Sequence, residues 1–451
     1  MGDFIVLYGA LLAALFMRYY GYEGPAPIKA HYIPFAIIFS IWLIVFGSFG
    51  LYDLKFMRNG KLFLYRLLRA VSINFILAIL FFYLLPFFQI EPRRNLFLIT
   101  ILGTIFLLSW RSLFNLAVVR TPSSRVLFIG ITKEAFDLAR FLLAHPQLGY
   151  QPAAFGIPDE INTSSLPFPH AKNGSAIPHI NISKNLPHIL TEQKIETIVI
   201  TRDIKENRIF VKMLFEAIPL GVSVVEFTTF HEMLTGKVPM SLIEEIWFIE
   251  NLIGSRRRIY EFFKRGLDIF LATAVGIPAT ILTLFIIAAI KLDSKGSAFF
   301  IQRRIGKDGK TFLLMKFRSM VAYAESMGGY KGEGRDPRHT RVGAFLRATY
   351  LDELPQIINI LKGEMSFIGP RPERPQYVEE LKKNIAFYEM RLLVPPGITG
   401  WAQINMENDA SVEDAPEKMQ YDLYYIKNRS FTLDLLIAIK TAFTLLQRHG
   451  R

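Results

Sequence analysis

The sequence predicts a multi-domain membrane protein. Its parts are a four-helix transmembrane bundle, an α/β Rossmann-like middle domain, and an α+β C-terminal domain carrying a re-entrant membrane helix. Three observations lead there. The chain has 451 residues, 51% of them hydrophobic and only 20% charged, with mean hydropathy +0.29. Its apolar residues are clustered, which excludes a purely soluble enzyme, and so many of them exclude intrinsic disorder. Beyond residue 125, short β-branched runs alternate with helical patterns, as in a parallel sheet with crossover helices. The expected boundaries are 1–120, 121–255 and 256–451.

The bundle rests on apolar runs at Phe4–Met17, Ile33–Leu51, Ala70–Phe88 and Leu96–Val119. A spanning helix needs roughly 20 apolar residues. The second, third and fourth runs reach that length, although Arg111 interrupts the fourth. The first is short and relies on Arg18 snorkelling, with Tyr19, Tyr20 and Tyr22 as an interfacial belt. No basic residue precedes it and further spans follow, so it reads as a span and not a signal peptide. The second loop carries Lys55, Arg58, Lys61, Arg66 and Arg69, the third only Arg93 and Arg94. The positive-inside rule then places both ends of the bundle, and everything after residue 120, in the cytoplasm. Asn74 alone is a weak signal for a pore.

In the middle domain, Arg125–Gly130 reads as a buried strand followed by a helix, and further strands are expected in 149–160, at Thr197–Thr201 and at Val222–Phe227. A dinucleotide site wants Gly-x-Gly-x-x-Gly after the first strand, so that backbone can approach a pyrophosphate. Here the run is Gly130-Ile131-Thr132-Lys133-Glu134-Ala135. Two positions carry side chains, and Glu134 adds negative charge, so regulation or oligomerisation is the expected role. Residues 161–190, rich in Pro, Ser, Asn and His, read as a surface excursion whose histidines are solvated. With no cysteine in the chain, disulfides and thiolate metal sites are impossible.

In the C-terminal part, a long apolar stretch at about 262–292 is opened by Lys264 and Arg265, closed by Lys291, and interrupted by Pro278. Proline removes a helical hydrogen bond and kinks the helix. A re-entrant hairpin returning to its own side of the membrane is expected, because a straight fifth span would strand the polar remainder outside. Downstream, Asp352-Glu353 is an adjacent acidic pair just before a helical segment, Leu354–Leu361. On spacing alone, an N-cap carboxylate and an anion-binding or chemical role remain both open.

Four blocks then follow one another: FFIQRRIGKDGKTFLLMKFRSM (299–320), DPRHTRVGAFLRATYLDELPQIINIL (336–361), GEMSFIGPRPERP (363–375) and VPPGITGWAQIN (394–405). Together they resemble the bacterial sugar transferase family, the polyprenyl-phosphate hexose-1-phosphate transferases or monotopic phosphoglycosyl transferases, over about residues 256–451. The front of the chain resembles the large members of that family, and HEMLTGKVPMSLIEEIWFIEN (231–251) resembles their exosortase-associated subgroup.

The resemblance implies a catalytic role for Asp352 as a nucleophile on the β-phosphate of a UDP-sugar. UMP leaves, and undecaprenyl phosphate takes the sugar-1-phosphate from the aspartyl intermediate. It implies that Glu353, together with Asp352, binds Mg²⁺. Lys316, Arg318 and Arg347 are expected to face phosphate, and Arg371, between Pro370 and Pro372, to sit at the nucleotide. It further implies an exopolysaccharide, O-antigen or capsule product, contact with membrane lipids, a homodimer, and an inner-membrane location with the catalytic domain on the cytoplasmic face.

Two residues depart from the family pattern: Pro395 stands where a lysine is common, and Tyr350 where a serine is. Two other readings remain. One is a non-catalytic scaffold of a polysaccharide assembly complex, which the intact acidic pair with Arg347 argues against. The other is a nucleotide-sugar oxidoreductase, which the missing glycines oppose. An Asp-x-Asp glycosyltransferase is disfavoured because that motif does not occur. The net charge of +13 sits at membrane edges and in phosphate motifs, so nucleic acid is not an expected partner.

Overall fold

Long apolar runs free of competing polar groups satisfy their backbone internally only as helices when lipid surrounds them. In a computed structural model of the chain, the residues described are 2–19, 28–52, 61–84, 93–120, 123–157, 177–182, 186–201, 208–252, 256–321, 323–324, 327, 336–406 and 414–448. They form two compact units, Met1–Leu234 and Thr235–Arg451.

The first unit opens with helices α1 (Gly2–Tyr19), α2 (Ile28–Ser48), α3 (Lys61–Leu84) and α4 (Arg93–Arg120). Among the described residues, four helices in the chain are long and apolar enough to cross a membrane: Gly2–Tyr19, Phe63–Leu84, Asn95–Phe114 and, in the second unit, Arg258–Asp293. They mark the chain as a membrane protein. The first run, expected to be short, qualifies; the second narrows to the shorter apolar helix His31–Gly47. Arg18 is bonded to Asn95, so it does not snorkel alone. Arg111, the interruption in α4, pairs with Asp3 and donates to the Leu51 carbonyl at 2.6 Å. These pairs tie α1 and α4 antiparallel at both ends. Asn74 is fully buried, and the indole of Trp42 donates to its carbonyl at 3.1 Å, joining α2 to α3. That bond uses the Asn74 backbone; the side-chain Nδ2 lies 3.5 Å from the Trp42 carbonyl, and Oδ1 is buried without a partner among the described residues. Lys55 and Arg58, on which the orientation argument leans, lie outside the described residues.

The rest of this unit is a five-stranded, all-parallel sheet. In chain order the elements are β1 (Ser124–Ile129), α5 (Lys133–Ala144), β2 (Tyr150–Ile157), β3 (His179–Asn181), α6 (Leu186–Glu192), β4 (Thr197–Ile200), α7 (Arg208–Ala217), β5 (Ser223–Glu226) and α8 (Phe227–Thr235). The strand order, β3-β2-β1-β4-β5, is that of the first five strands of a doubly wound dinucleotide fold. β3 and the start of α6 fall inside the stretch expected to be a plain excursion. Residues 161–176 and 183–185 of that stretch lie outside the described residues. Gly130 has φ of +106°, and a Cβ there would meet the Thr201 hydroxyl at 2.2 Å, so this glycine is required by strand packing. Thr132, at the second fingerprint position, accepts the Ala135 N–H at 3.1 Å. A side-chain cap thus occupies the helix end where a pyrophosphate would sit.

The second unit begins earlier than the expected boundary at 255. Val238, Ile243, Trp247 and Phe248 pack with Val378, Tyr388, Met419, Leu423 and Ile437. Their burial, including α9 (Glu245–Leu252), assigns this segment to the C-terminal core. Next comes α10 (Arg256–Asp293), 38 residues and helical straight through Pro278, about 57 Å long at 1.5 Å per residue. The expected hairpin is not seen as two arms separated by a loop.

The helix nonetheless touches the same domain along its length. Ala272 joins a core with Phe312, Leu314, Ile357 and Ile360. Further on, Ile286 and Ile290 join one with Phe317 and Leu346. Its other face, including Phe270, Ile277, Ile281 and Phe285, is exposed. The domain is completed by the antiparallel hairpin β6 (Phe299–Ile305) and β7 (Thr311–Phe317), and by α11 (Arg341–Ala348), α12 (Gln356–Lys362) and α13 (Pro375–Asn384). A short parallel pair, β8 (Ser366–Ile368) and β9 (Gly397–Thr399), and α14 (Trp401–Asn405), α15 (Ala415–Asn428) and α16 (Phe431–Arg448) follow. One face of α16 packs inward through Ile437 and Asp434, while Phe431 and Leu435 stay exposed.

Candidate active site

The acidic pair is placed by a series of local constraints. Thr340 caps α11 by accepting the Gly343 N–H at 2.9 Å. A Cβ on Gly343 would lie 2.0 Å from the Ser319 carbonyl oxygen, so only glycine lets α11 rest on the exit of β7. After α11, Tyr350 takes φ of +56°, an uncommon conformation for a side chain of this size. A 3₁₀ turn, Leu351–Glu353, follows, and α12 starts only at Gln356 with Pro355 as its cap. Asp352 is therefore neither the N-cap of α12 nor in its first turn, which removes the N-cap reading, one of the two left open by spacing. Asn359, fully buried, locks α12 to β7 by donating to the Leu313 carbonyl at 2.8 Å and accepting the Met315 N–H at 3.2 Å.

Asp352 is 8% exposed. Burial is the main cause lifting its pKa to about 6; Lys316 and Arg347 oppose the rise and Glu353 adds to it. Among the described residues, no side chain hydrogen-bonds its carboxylate. Glu353 contrasts with it, accepting from Lys316 Nζ at 2.6 Å and lying 3.8 Å from Arg371 Nη1. Arg347 meets the imidazole of His339 at 2.8 Å, and the other ring nitrogen of His339 lies 3.1 Å from the Ser319 carbonyl. Lys316, Arg347, Asp352, Glu353 and Arg371 thus form one electrostatic group.

Arg318 does not join it. Its guanidinium is 2.8 and 2.9 Å from the carbonyl oxygens of Ser294 and Lys295, and 2.9 Å from the Ser294 hydroxyl. It fastens the turn after α10, where the carbonyls of a helix end need donors. This corrects the expectation that Arg318 faces phosphate.

Pro370, Arg371 and Pro372 belong to a loop whose three carbonyls each accept a hydrogen bond. The Pro370 carbonyl accepts from the Gly397 N–H at 2.9 Å, that of Arg371 from Arg391 at 2.8 Å, and that of Pro372 from Arg304 at 2.8 Å. A Cβ on Gly397 would sit 2.1 Å from the Gly369 nitrogen, and one on Gly400 would sit 2.3 Å from the Gly369 oxygen. Glycines in the two loops therefore let backbone meet backbone, leaving the Arg371 side chain to reach Glu353.

Sequence reasoning missed what anchors this loop. Arg391 and Asp422, both almost wholly buried, pair at 2.8 Å, and Glu373 accepts from Lys418 at 2.7 Å. Burial works against ionisation of Glu373, yet Arg391 and Lys418 outweigh it and hold its carboxyl below the ordinary value. Burial likewise works against charge on Arg391, and Asp422 outweighs it, so the guanidinium stays ionised. The available signal was an isolated charge among apolar neighbours, as in the run YDLYYIKN (421–428).

Among the described residues, no three His, Asp or Glu side chains cluster as a protein-only metal cage requires. Asp352 and Glu353 supply two carboxylates, a donor set that suits Mg²⁺ when phosphate oxygens and waters complete its shell.

The family model for bacterial sugar transferases matches residues 259–448. Over 232 residues the chain is 42% identical to a UDP-N-acetylgalactosamine-undecaprenyl-phosphate N-acetylgalactosaminephosphotransferase of Aeromonas hydrophila, covering 51% of this chain and 53% of that protein. It is 42% identical over 188 residues to a UDP-glucose:undecaprenyl-phosphate glucose-1-phosphate transferase of Escherichia coli, covering 41% of this chain and 40% of that one. The match therefore spans about half or less of the length of these two relatives. A longer alignment, 354 residues at 30% identity, covers 72% of this chain and 69% of a sugar transferase of Haemophilus influenzae named as uncharacterized. With the motifs assembled around Asp352, this extent of similarity shows that the chain belongs to the bacterial sugar transferase family.

Proposed function

We propose that the protein transfers a sugar-1-phosphate from a UDP-sugar to undecaprenyl phosphate through a covalent intermediate on Asp352. The observation that carries this reading is the state of Asp352: buried, free of side-chain hydrogen bonds among the described residues, and flanked by Lys316 and Arg347. With a pKa of about 6, its carboxylate is mostly ionised at neutral pH yet more basic than an ordinary aspartate, as suits a nucleophile. An Asp352 oxygen attacks the β-phosphorus, the bond from that phosphorus to the bridging oxygen breaks, and UMP departs with the electron pair. An oxygen of the lipid phosphate then attacks the same phosphorus, forming a lipid-diphosphate sugar and returning Asp352 to a carboxylate.

Lys316, Arg347 and Arg371 neutralise the charge of the phosphates, with guanidinium forks matching phosphate oxygens. Asp352 and Glu353 would hold Mg²⁺, which when bound screens the diphosphate. We further propose that α10 enters and leaves the membrane on one side, supported by the contacts of both its halves with the same domain. The catalytic domain then faces the cytoplasm, where UDP-sugars are found. The product starts a lipid-linked exopolysaccharide, O-antigen or capsule glycan. Two relatives of equal identity are named for N-acetylgalactosamine and for glucose, so the donor is best found by assay.

The test is UMP release by purified protein in nanodiscs with Mg²⁺ and a panel of UDP-sugars. A stoichiometric burst of UMP before lipid phosphate is added, absent in Asp352→Asn, is expected. Release requiring both substrates together, with no burst and no labelled protein, would refute the covalent route.

A further inference from the structure

At the opposite end of α12 from Asp352 lies a cavity of about 240 Å³, lined in part by Lys264, Arg265, Lys307 and Arg429. These cations converge from three separate stretches of chain: the first turns of α10, the β6–β7 turn, and the corner between α15 and α16. Two carboxylates, Glu261 and Asp268, also line it, leaving an excess of positive charge. Lys264 is bonded to Asp434 at 2.7 Å. Arg265 donates to the carbonyls of Ile360 and Leu361 at 2.5 and 2.8 Å, closing the C-terminal end of α12.

The other two cations are not fully used. The Arg429 side chain is 9% exposed and meets Glu261 through Nη2 at 2.9 Å. Its Nε is buried with no hydrogen-bond partner, a costly state for a donor. Lys307 forms no ion pair or hydrogen bond through its ammonium among the described residues. Lys307 thus brings to the cavity an ammonium with no acceptor among the described residues, whereas the Arg429 Nε, which has almost no accessible surface, does not face the opening.

The surroundings indicate where an acceptor would come from. Phe262 and Phe263, next to Lys264, are 76% and 58% exposed, and beyond Asp268 the exposed face of α10 is apolar. Basic residues with aromatic rings, at the point where a helix turns apolar, mark the headgroup level of a membrane. Met365, Ile368 and Val394 give the cavity an apolar wall as well. We propose that this cavity binds the phosphate headgroup of an anionic phospholipid, anchoring the start of α10 at the interface. It is not the acceptor site of the transfer reaction, because α12, about 10 Å long for its seven residues, separates it from Asp352.

The full chain in nanodiscs mixing phosphatidylcholine with phosphatidylglycerol provides the test, with native mass spectrometry of retained lipid as readout. Wild-type protein should retain phosphatidylglycerol selectively. Lys307→Gln, which breaks no bond, should lower that enrichment about fivefold, the contribution of one basic residue near an anionic surface. Lys307→Arg, which keeps the charge at that position, should preserve it. Lys310→Gln, an exposed neighbour outside the cavity, should leave it unchanged. Enrichment unaffected in Lys307→Gln, or lost equally in Lys310→Gln, would overturn the proposal. So would complete displacement by millimolar inorganic phosphate, which would mean a soluble phosphate site. Preferential retention of undecaprenyl phosphate over phosphatidylglycerol would reassign the cavity to the lipid substrate and overturn it equally.

Discussion

Asp352→Asn should abolish transfer and yet stabilise the protein, by an amount that depends on pH in a defined way. The native carboxyl has its pKa raised from 3.8 to about 6, mainly by burial. Between those values the folded state binds more protons than the unfolded state, so stability falls as pH rises. Above about pH 6 the loss is complete, and at 1.36 kcal/mol per unit it amounts to about 3 kcal/mol. Below about pH 3 both states are protonated and the loss vanishes.

The asparagine variant carries no such proton. Its stability minus that of the wild type should therefore rise by about 3 kcal/mol from pH 3 to pH 8. Any fixed cost of placing an amide there cancels in the difference. Thermal or denaturant unfolding in detergent across that range measures it, and UMP release by the wild type should fall off below about pH 6. A flat difference, or one of opposite sign, would refute the claim that Asp352 is a desolvated carboxylate.

Three further outcomes follow from the packing. Arg318→Ala should cost on the order of 2–3 kcal/mol by unfolding, since it strips charge-assisted donors from Ser294 and Lys295; if folded protein shows only a raised KM for donor, Arg318 is a phosphate ligand after all. Gly397→Ala sets a Cβ against the Gly369 backbone, which side-chain motion does not relieve, so about 1–3 kcal/mol of destabilisation and weaker nucleotide affinity by calorimetry are expected. Arg391→Met should lose roughly 3–5 kcal/mol by leaving Asp422 buried and unpaired, and Arg391→Met with Asp422→Leu should regain much of it in a double-mutant cycle.

Much of the fold was legible in one dimension because periodicity and length are local properties. The apolar runs of α1, α3, α4 and α10, and four of the five strands of the parallel sheet, follow from residue pattern alone. What pattern missed was short or compensated by distant partners. β3 is three residues, His179–Asn181, paired only along β2, and nothing within so short a segment announces it. The segment 235–252 reads as a continuation of the middle domain until Trp247 and Phe248 are seen in the core with Met419 and Leu423.

The site shows the same division. The family resemblance carried by the ordered motifs nominated Asp352, Glu353, Lys316, Arg347 and Arg371, and Arg318 along with them. Nothing in KFRSM (316–320) distinguishes Lys316, which reaches Glu353, from Arg318, which turns away to the Ser294 carbonyl. Residues two apart would share a face if the strand continued, but β7 ends at Phe317, and past that end Arg318 meets the Ser294 and Lys295 carbonyls.

By itself, then, the sequence determined the membrane character, the parallel α/β pattern and the identity of the acidic pair. Tertiary structure alone decided that Asp352 rests on a 3₁₀ turn with its pKa lifted by burial. It also decided that Arg391, Asp422, Glu373 and Lys418 hold the Arg371 loop, and that Arg429 and Lys307 share a cavity. Desolvation and ion pairing depend on which atoms surround a charge, and those atoms come from segments tens to hundreds of residues apart in the chain.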